Sequence, residues 1–236
     1  MDKEINIILS ETALQQLSFC ALEAYAIKKL GQPKGQSKYL EVFGLLWGSF
    51  SKLEQENCSH SFYRVEFIGA DTSALQKKDE VARNEGSLVI KRDLTTSFWP
   101  HLRFLGDFHT HPYRYKDCDA KEIENEKLYE FSTEDRNDIE GNSEFWRKHK
   151  YRIGLVCTIV DLKRAARVDK QLNDSTLVAG FGNYKLWIKA YYANYRRTNK
   201  IILSDDIYLS CPSLLGMEEY TKFGRHSRGK HNEGSI

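Results

Sequence analysis

The chain lacks the marks of several protein classes. It has no apolar run near the roughly 20 residues of a membrane span, so no membrane association is expected. Its first residues, Met1-Asp2-Lys3-Glu4, mix charges and carry no signal-peptide pattern. It has little cysteine: Cys20, Cys58, Cys118, Cys157 and Cys211 are scattered, odd in number, and form no Cys-x-x-Cys pair. That argues against a disulfide framework and against a cysteine zinc knuckle, and suits a reducing, cytoplasmic setting. A net charge of +2 gives no strong field toward nucleic acid or anionic lipid, so nucleic acid is not an expected partner. Internal repeats and a linker dividing the body are also lacking.

What is present fits one globular α/β domain. The 236 residues are 41% hydrophobic, 12% aromatic and 29% charged, enough for a sizeable core. Ile5 to Leu9 reads as a first strand. Ser10 then caps a helix expected from about 11 to about 30, with Leu14, Leu17, Ala21, Ala24 and Tyr25 on one face and Gly31 as its stop. Residues 31–38 (GQPKGQSK) form a loop. Tyr39 to Gly48 is almost wholly apolar and reads as a buried strand with one charge, Glu41, near its entrance; Ser61 to Ile68 alternates as its partner. Between them and the next strand, 70–83 suggests a helix and Ser87 to Ile90 a short strand. Later, a helix is expected from Ser132 to about His149, a strand over Tyr151 to Leu162, and a hairpin of Leu177–Phe181 and Tyr184–Tyr192 turning at Gly182-Asn183. Two short apolar pieces follow, Ile201–Leu203 and Ile207–Leu209. The basic, Gly- and Ser-rich stretch 222–236 reads as a disordered tail beyond a domain of 1–221.

The chemistry centres on Leu105-Gly106-Asp107-Phe108-His109-Thr110-His111-Pro112. In an extended chain residues two apart share a face, so His109 and His111 present two imidazoles together while Thr110 faces away. Pro112, without an N–H, ends the run. Two imidazoles are half of a zinc site, although a lone His-x-His pair is common in ordinary strands. A hydrolytic centre also needs a third ligand, a base and an oxyanion donor. Asp135 of Ser132-x-x-Asp135 suits the first, Glu41 the second and Ser132 the third. Taken by itself, Ser132-x-x-Asp135 is a helix-capping box, a role compatible with metal binding. His60, His101, His149, His226 and His231 lie in loop, tail or helix-end contexts and are not expected ligands.

Together these pieces resemble the JAB/MPN (JAMM) metallopeptidase family. Its pattern is a glutamate on an early strand, then His-Ser/Thr-His-Pro, then Ser-x-x-Asp. The matching residues are Glu41 in Glu41-Val42-Phe43-Gly44-Leu45-Leu46-Trp47-Gly48, His109-Thr110-His111-Pro112, and Ser132-x-x-Asp135, so the resemblance covers about 41–162. It implies a mixed, partly barrel-like sheet flanked by helices, the cytidine-deaminase-like MPN/JAB fold. It also implies Zn²⁺ on His109, His111 and Asp135, with Glu41 as base and Ser132 supporting the oxyanion. The implied reaction is cleavage of an amide or isopeptide bond at the C-terminus of ubiquitin or a ubiquitin-like protein. One departure stands out. The family spacing puts its serine at Asp119 and its aspartate at Glu122, whereas Ser132 lies thirteen residues later. Either 113–131 is an insertion, which the residue types favour, or Asp119 and Glu122 have taken over. The insertion is either a substrate-shaping flap with Tyr113 and Tyr115 lining the groove or a surface elaboration. Competing readings are a zinc hydrolase releasing a small group from a sulfur-carrier-like protein, a non-catalytic MPN-type scaffold, and a cysteine hydrolase using Cys118, for which no activating signature exists.

Overall fold

The alternating Ile5, Ile7 and Leu9 build the first strand, β1 (Asp2–Leu9), with all three side chains buried. Ser10 accepts a hydrogen bond from the Ala13 amide at 3.2 Å and starts α1 (Glu11–Ala26). A computed structural model describes residues 2–27, 38–54, 56, 58–76, 81–165, 169–196, 198 and 200–214; Gly31 and the 222–236 tail lie outside them. The remaining elements are β2 (Phe43–Glu54), β3 (Cys58–Ala70), β4 (Leu75–Gln76), β5 (Val81–Ala82), α2 (Glu85–Phe98), β6 (Arg103–Tyr113), α3 (Ala120–Asn125), α4 (Thr133–Gly141), α5 (Ser143–Lys148), β7 (Ile153–Asp161), β8 (Lys170–Asn173), β9 (Thr176–Phe181), β10 (Tyr184–Tyr195), β11 (Ile201–Ser204) and β12 (Tyr208–Ser210).

The sheet runs β12-β1-β3-β2-β6-β7-β10-β9-β8, with β11 also pairing β10. It is mixed, since β1 is parallel to β12 and β3, and β6 to β7, while the other neighbours are antiparallel. It curls into a half-barrel within one α/β domain. β6 and β7 lie near its middle, and both faces are covered, so they read as apolar runs. Phe108, Leu155 and Cys157 face a core shared with Leu14 and Leu17 of α1. Val156 faces the opposite core, with Phe131, Ile139 of α4 and Trp146 of α5. His109 is register-paired with Val156, so the histidines share that second face. Gly48 stands at a register irregularity of β2, where a Cβ would overlap the Arg64 carbonyl oxygen.

Several sequence expectations are corrected. The helix from residue 11 stops at Ala26 rather than near 30. The amides of Tyr39 and Leu40 bond the carbonyls of Tyr25 and Ala24, taking up its last turn. For the same reason the apolar run starting at Tyr39, which has φ 69°, becomes strand only at Phe43, and Glu41 just precedes the strand. In place of a helix over 70–83, Ala70 ends β3 and the described residues beyond it form β4 and β5. The Asp71 carboxylate accepts the Ser73 hydroxyl and the amides of Ser73 and Asn84, and these bonds compete with helical ones. Ser87–Ile90 is not strand but part of α2, capped by Asn84; Leu88 is buried while Val89 and Ile90 are exposed. The helix expected over 132–149 is two helices, because Asn142 at φ −95°, ψ 27° ends α4 and precedes α5. The hairpin forms as expected, with Gly182 at φ 61°.

Among the described residues no helix is long and apolar enough to cross a membrane.

Candidate metal centre

Along β6 the odd-numbered side chains Asp107, His109 and His111 line one cleft, as strand alternation requires. Thr110 points the other way and is 1% exposed. Its Oγ1 accepts the Val42 amide at 2.9 Å, and its own amide donates to the Val42 carbonyl at 3.0 Å. With Phe43 paired to His109, this clamp carries the antiparallel pairing one residue beyond β2, to Val42, the neighbour of Glu41. Glu41 lines the cleft, although it lies outside the regular strand.

Asp135 arrives from the far side of the cleft on the first turn of α4. Ser132 and Asp135 form a full capping box: the Ser132 hydroxyl accepts the Asp135 amide at 3.1 Å, and Asp135 Oδ2 accepts the Ser132 amide at 2.8 Å. The same carboxylate straddles the imidazoles, Oδ1 at 3.2 Å from His109 Nε2 and Oδ2 at 3.3 Å from His111 Nε2. The two Nε2 atoms stand 3.0 Å apart. Capping and convergence on the histidines therefore coexist in one side chain, and His109, His111 and Asp135 form a group able to hold a metal ion.

Their electrostatics favour a cation. Burial lowers the His109 pKa, helped by the neighbouring His111, and this outweighs Asp135. Burial raises the Asp135 pKa, but hydrogen bonds from both histidines overcome it and leave the group well below the usual carboxylate range. A His109 imidazole favoured in its neutral form, with a second ring and an ionised carboxylate beside it, is a metal donor set.

Phe131, just before the Ser132 cap, stacks on the His109 ring with centroids 5.3 Å apart and planes at 10°. Tyr191 stacks behind it at 4.2 Å, and its hydroxyl accepts the Phe131 amide at 2.9 Å. These contacts orient the imidazole. Asp107 lies deeper, with its Oδ1 accepting the Tyr151 hydroxyl at 3.1 Å. Burial pushes its carboxyl up to about 7, against the opposing charge of Arg83. Arg83 pairs with Asp138, one turn beyond Asp135, and lies over the Trp146 ring. Asp107 was legible by the same alternation that joins the histidines. Arg83 and Tyr191 are remote in sequence and gave no signal, and Phe131, although it adjoins Ser132, carries no sequence mark of its stacking on His109.

The stretch 113–131 is neither a simple flap nor a bare surface loop. Tyr113, Arg114, Asp117 and Cys118 line the cleft, which has a volume of about 970 Å³, while Tyr115 is absent from the lining and its amide is held by Asp161. Beyond them, Ile123 and Tyr129 are buried against Val160, Val178 and Trp187. Asp119 and Glu122 form the capping box of α3, the two exchanging hydrogen bonds with each other's backbone amides. The metal-competent group is completed by Asp135 rather than by either of them. Cys118 has its thiol pKa raised by burial and by Glu122, the opposite of an activated nucleophile. In comparisons with known proteins, the chain matches no protein-family description and no curated protein.

Proposed function

We propose that the chain is a zinc-dependent hydrolase of an amide or isopeptide bond at the C-terminus of ubiquitin or a ubiquitin-like protein, built on the MPN/JAB fold. The observation that carries this reading is the convergence of His109, His111 and Asp135, separated by 3.0, 3.2 and 3.3 Å, in a cleft also lined by Glu41 and Ser132. Donors about 2.0–2.1 Å from a tetrahedral zinc stand about 3.3 Å apart, so the residues fit that ion. The curled mixed sheet and the order of the three motifs support the fold assignment.

Zinc supplies Lewis acidity to the scissile carbonyl and to water. His109, His111 and Asp135 would hold it, in the cleft that Glu41 and Ser132 also line. The Glu41 carboxylate takes the proton of the attacking water and returns it to the departing amine. The Ser132 hydroxyl accepts the Asp135 amide, so its own hydrogen is available to donate to the developing oxyanion. No covalent attachment to the protein is required.

Metal analysis of the purified chain, with turnover of a ubiquitin-like C-terminal amide, tests this. Glu41→Gln is expected to keep one zinc in this site and lose about 10²- to 10⁴-fold in turnover. Asp135→Ala is expected to lose that zinc. Unchanged turnover in the first, or unchanged zinc affinity in the second, refutes the assignment. Cleavage of an aminoacylated sulfur-carrier protein in preference to the ubiquitin-like amide would retain the hydrolase and replace its substrate.

A further inference from the structure

The N-terminal strand carries a second group of donors that the cleft chemistry does not use. β1 and β3 run parallel, and their register pairs Glu4 with His60 and Asp2 with Cys58. Cys58 and His60 are two apart on β3 and share its half-buried side, while Ser59 between them is buried on the other. Glu4, the cross-strand neighbour, turns to the same place: its Oε2 lies 2.9 Å from His60 Nδ1. A ring nitrogen, a thiol sulfur and a carboxylate oxygen thus lie within 4.8 Å of one another, and Phe62 flanks the His60 ring at 6.3 Å.

We propose that Glu4, Cys58 and His60 form a second metal site, for a divalent transition ion of the zinc class, which ties β1 to β3. The donor set gives the class. A thiolate with an imidazole selects a borderline-soft ion over Mg²⁺ or Ca²⁺, and one carboxylate completes the three protein ligands. Position separates it from the cleft. Gly44, next to the Phe43–His109 pair, is opposite Ala70 at one end of β3, whereas His60 stands ten residues back along that strand. At about 3.3 Å per residue that is roughly 30 Å. The ion therefore acts on the fold rather than on the reaction, holding the first strand against the sheet by binding only the folded state.

The chelator-treated chain of 236 residues is titrated with Co²⁺, whose thiolate complexes show a near-ultraviolet charge-transfer band. The wild type is expected to bind two ions and show the band. Cys58→Ser and His60→Ala each bind one ion and lose it. His109→Ala loses the other ion and keeps the band, and Cys118→Ser, in the cleft, keeps both. Glu4→Gln, at an exposed position, guards against misfolding of the buried-side variants and weakens this ion by about tenfold or more. In the His109→Ala background, Zn²⁺ raises the melting temperature, and adding Cys58→Ser abolishes the rise. A wild-type stoichiometry of one without the band, or a band that survives Cys58→Ser or disappears with Cys118→Ser, overturns the second site. None of these outcomes depends on peptidase activity, so failure of the hydrolase assignment is read separately.

Discussion

Thr110→Val tests how Glu41 is placed. Valine keeps the shape of threonine and removes only the oxygen that accepts the Val42 amide at 2.9 Å. The site is buried, with Thr110 1% exposed and Val42 4% exposed, so water does not replace the acceptor. An orphaned buried N–H costs about 1–3 kcal/mol, against a typical domain stability of about 5–15 kcal/mol, so the variant folds. The second bond of the clamp, Thr110 amide to Val42 carbonyl at 3.0 Å, persists and limits the displacement of the backbone. Even a shift of about 1 Å at a catalytic group costs about 10²-fold in rate. The expected outcome is a fall in kcat of about one to two orders of magnitude with little change in KM. On the proposed function, zinc content is expected to stay unchanged, because both histidines and Asp135 lie on the other side of β6. Thr110→Ser, which restores the acceptor, recovers turnover. Urea unfolding, metal analysis and steady-state kinetics on the three proteins make the measurement. A valine variant that is less stable by the stated amount yet turns over like the wild type refutes the claim that this clamp positions Glu41.

Two further predictions concern the packing behind the cleft. Gly154 packs against the aromatic support of His109, and a Cβ there would overlap the Tyr151 hydroxyl and come within 2.7 Å of Phe131 Cζ. Gly154→Ala is therefore expected to cost about 1–3 kcal/mol by overpacking and to weaken zinc binding, measured by unfolding and competition with a chromogenic chelator; an unaltered affinity rejects the role of the Phe131 stack. Glu124 ties 113–131 to the sheet by accepting Lys185 Nζ at 2.6 Å and Trp187 Nε1 at 3.2 Å. Burial alone would raise its pKa, but the Lys185 hydrogen bond and charge lower it below the ordinary value. A lowered folded-state pKa means that this stabilisation is present above the unfolded value of about 4.3 and is lost as pH falls through the folded value. Glu124→Gln is expected to cost about 1–2 kcal/mol at neutral pH and to converge on wild type in strongly acidic solution; a penalty independent of pH removes the charge from the account.

Local chemistry made much of the site legible. The spacing of His109 and His111 alone requires a shared face in a strand, and Ser132-x-x-Asp135 alone requires a helix start, because both depend only on residues near in sequence. The apolar runs likewise announce β6 and β7. Local patterns misled where backbone bonds went to partners outside the window. Asp71 drew the amide of Asn84 and opened a turn where a helix was expected, and Tyr39 with Leu40 bonded to the end of α1 and left Glu41 outside the strand.

The sequence by itself determined which donors exist and which of them share a face: two imidazoles one residue apart in an apolar run, and a capping box at Ser132-x-x-Asp135. Only the tertiary structure decided that the carboxylate of that box stands 3.2 and 3.3 Å from those imidazoles and that Asp119 and Glu122 cap α3 instead. The difference is physical. Face and cap follow from backbone geometry over a few residues, whereas bringing α4 to β6 depends on long-range packing: Phe131 stacks between His109 and Tyr191, and the Arg83–Asp138 pair ties α4 to the start of α2.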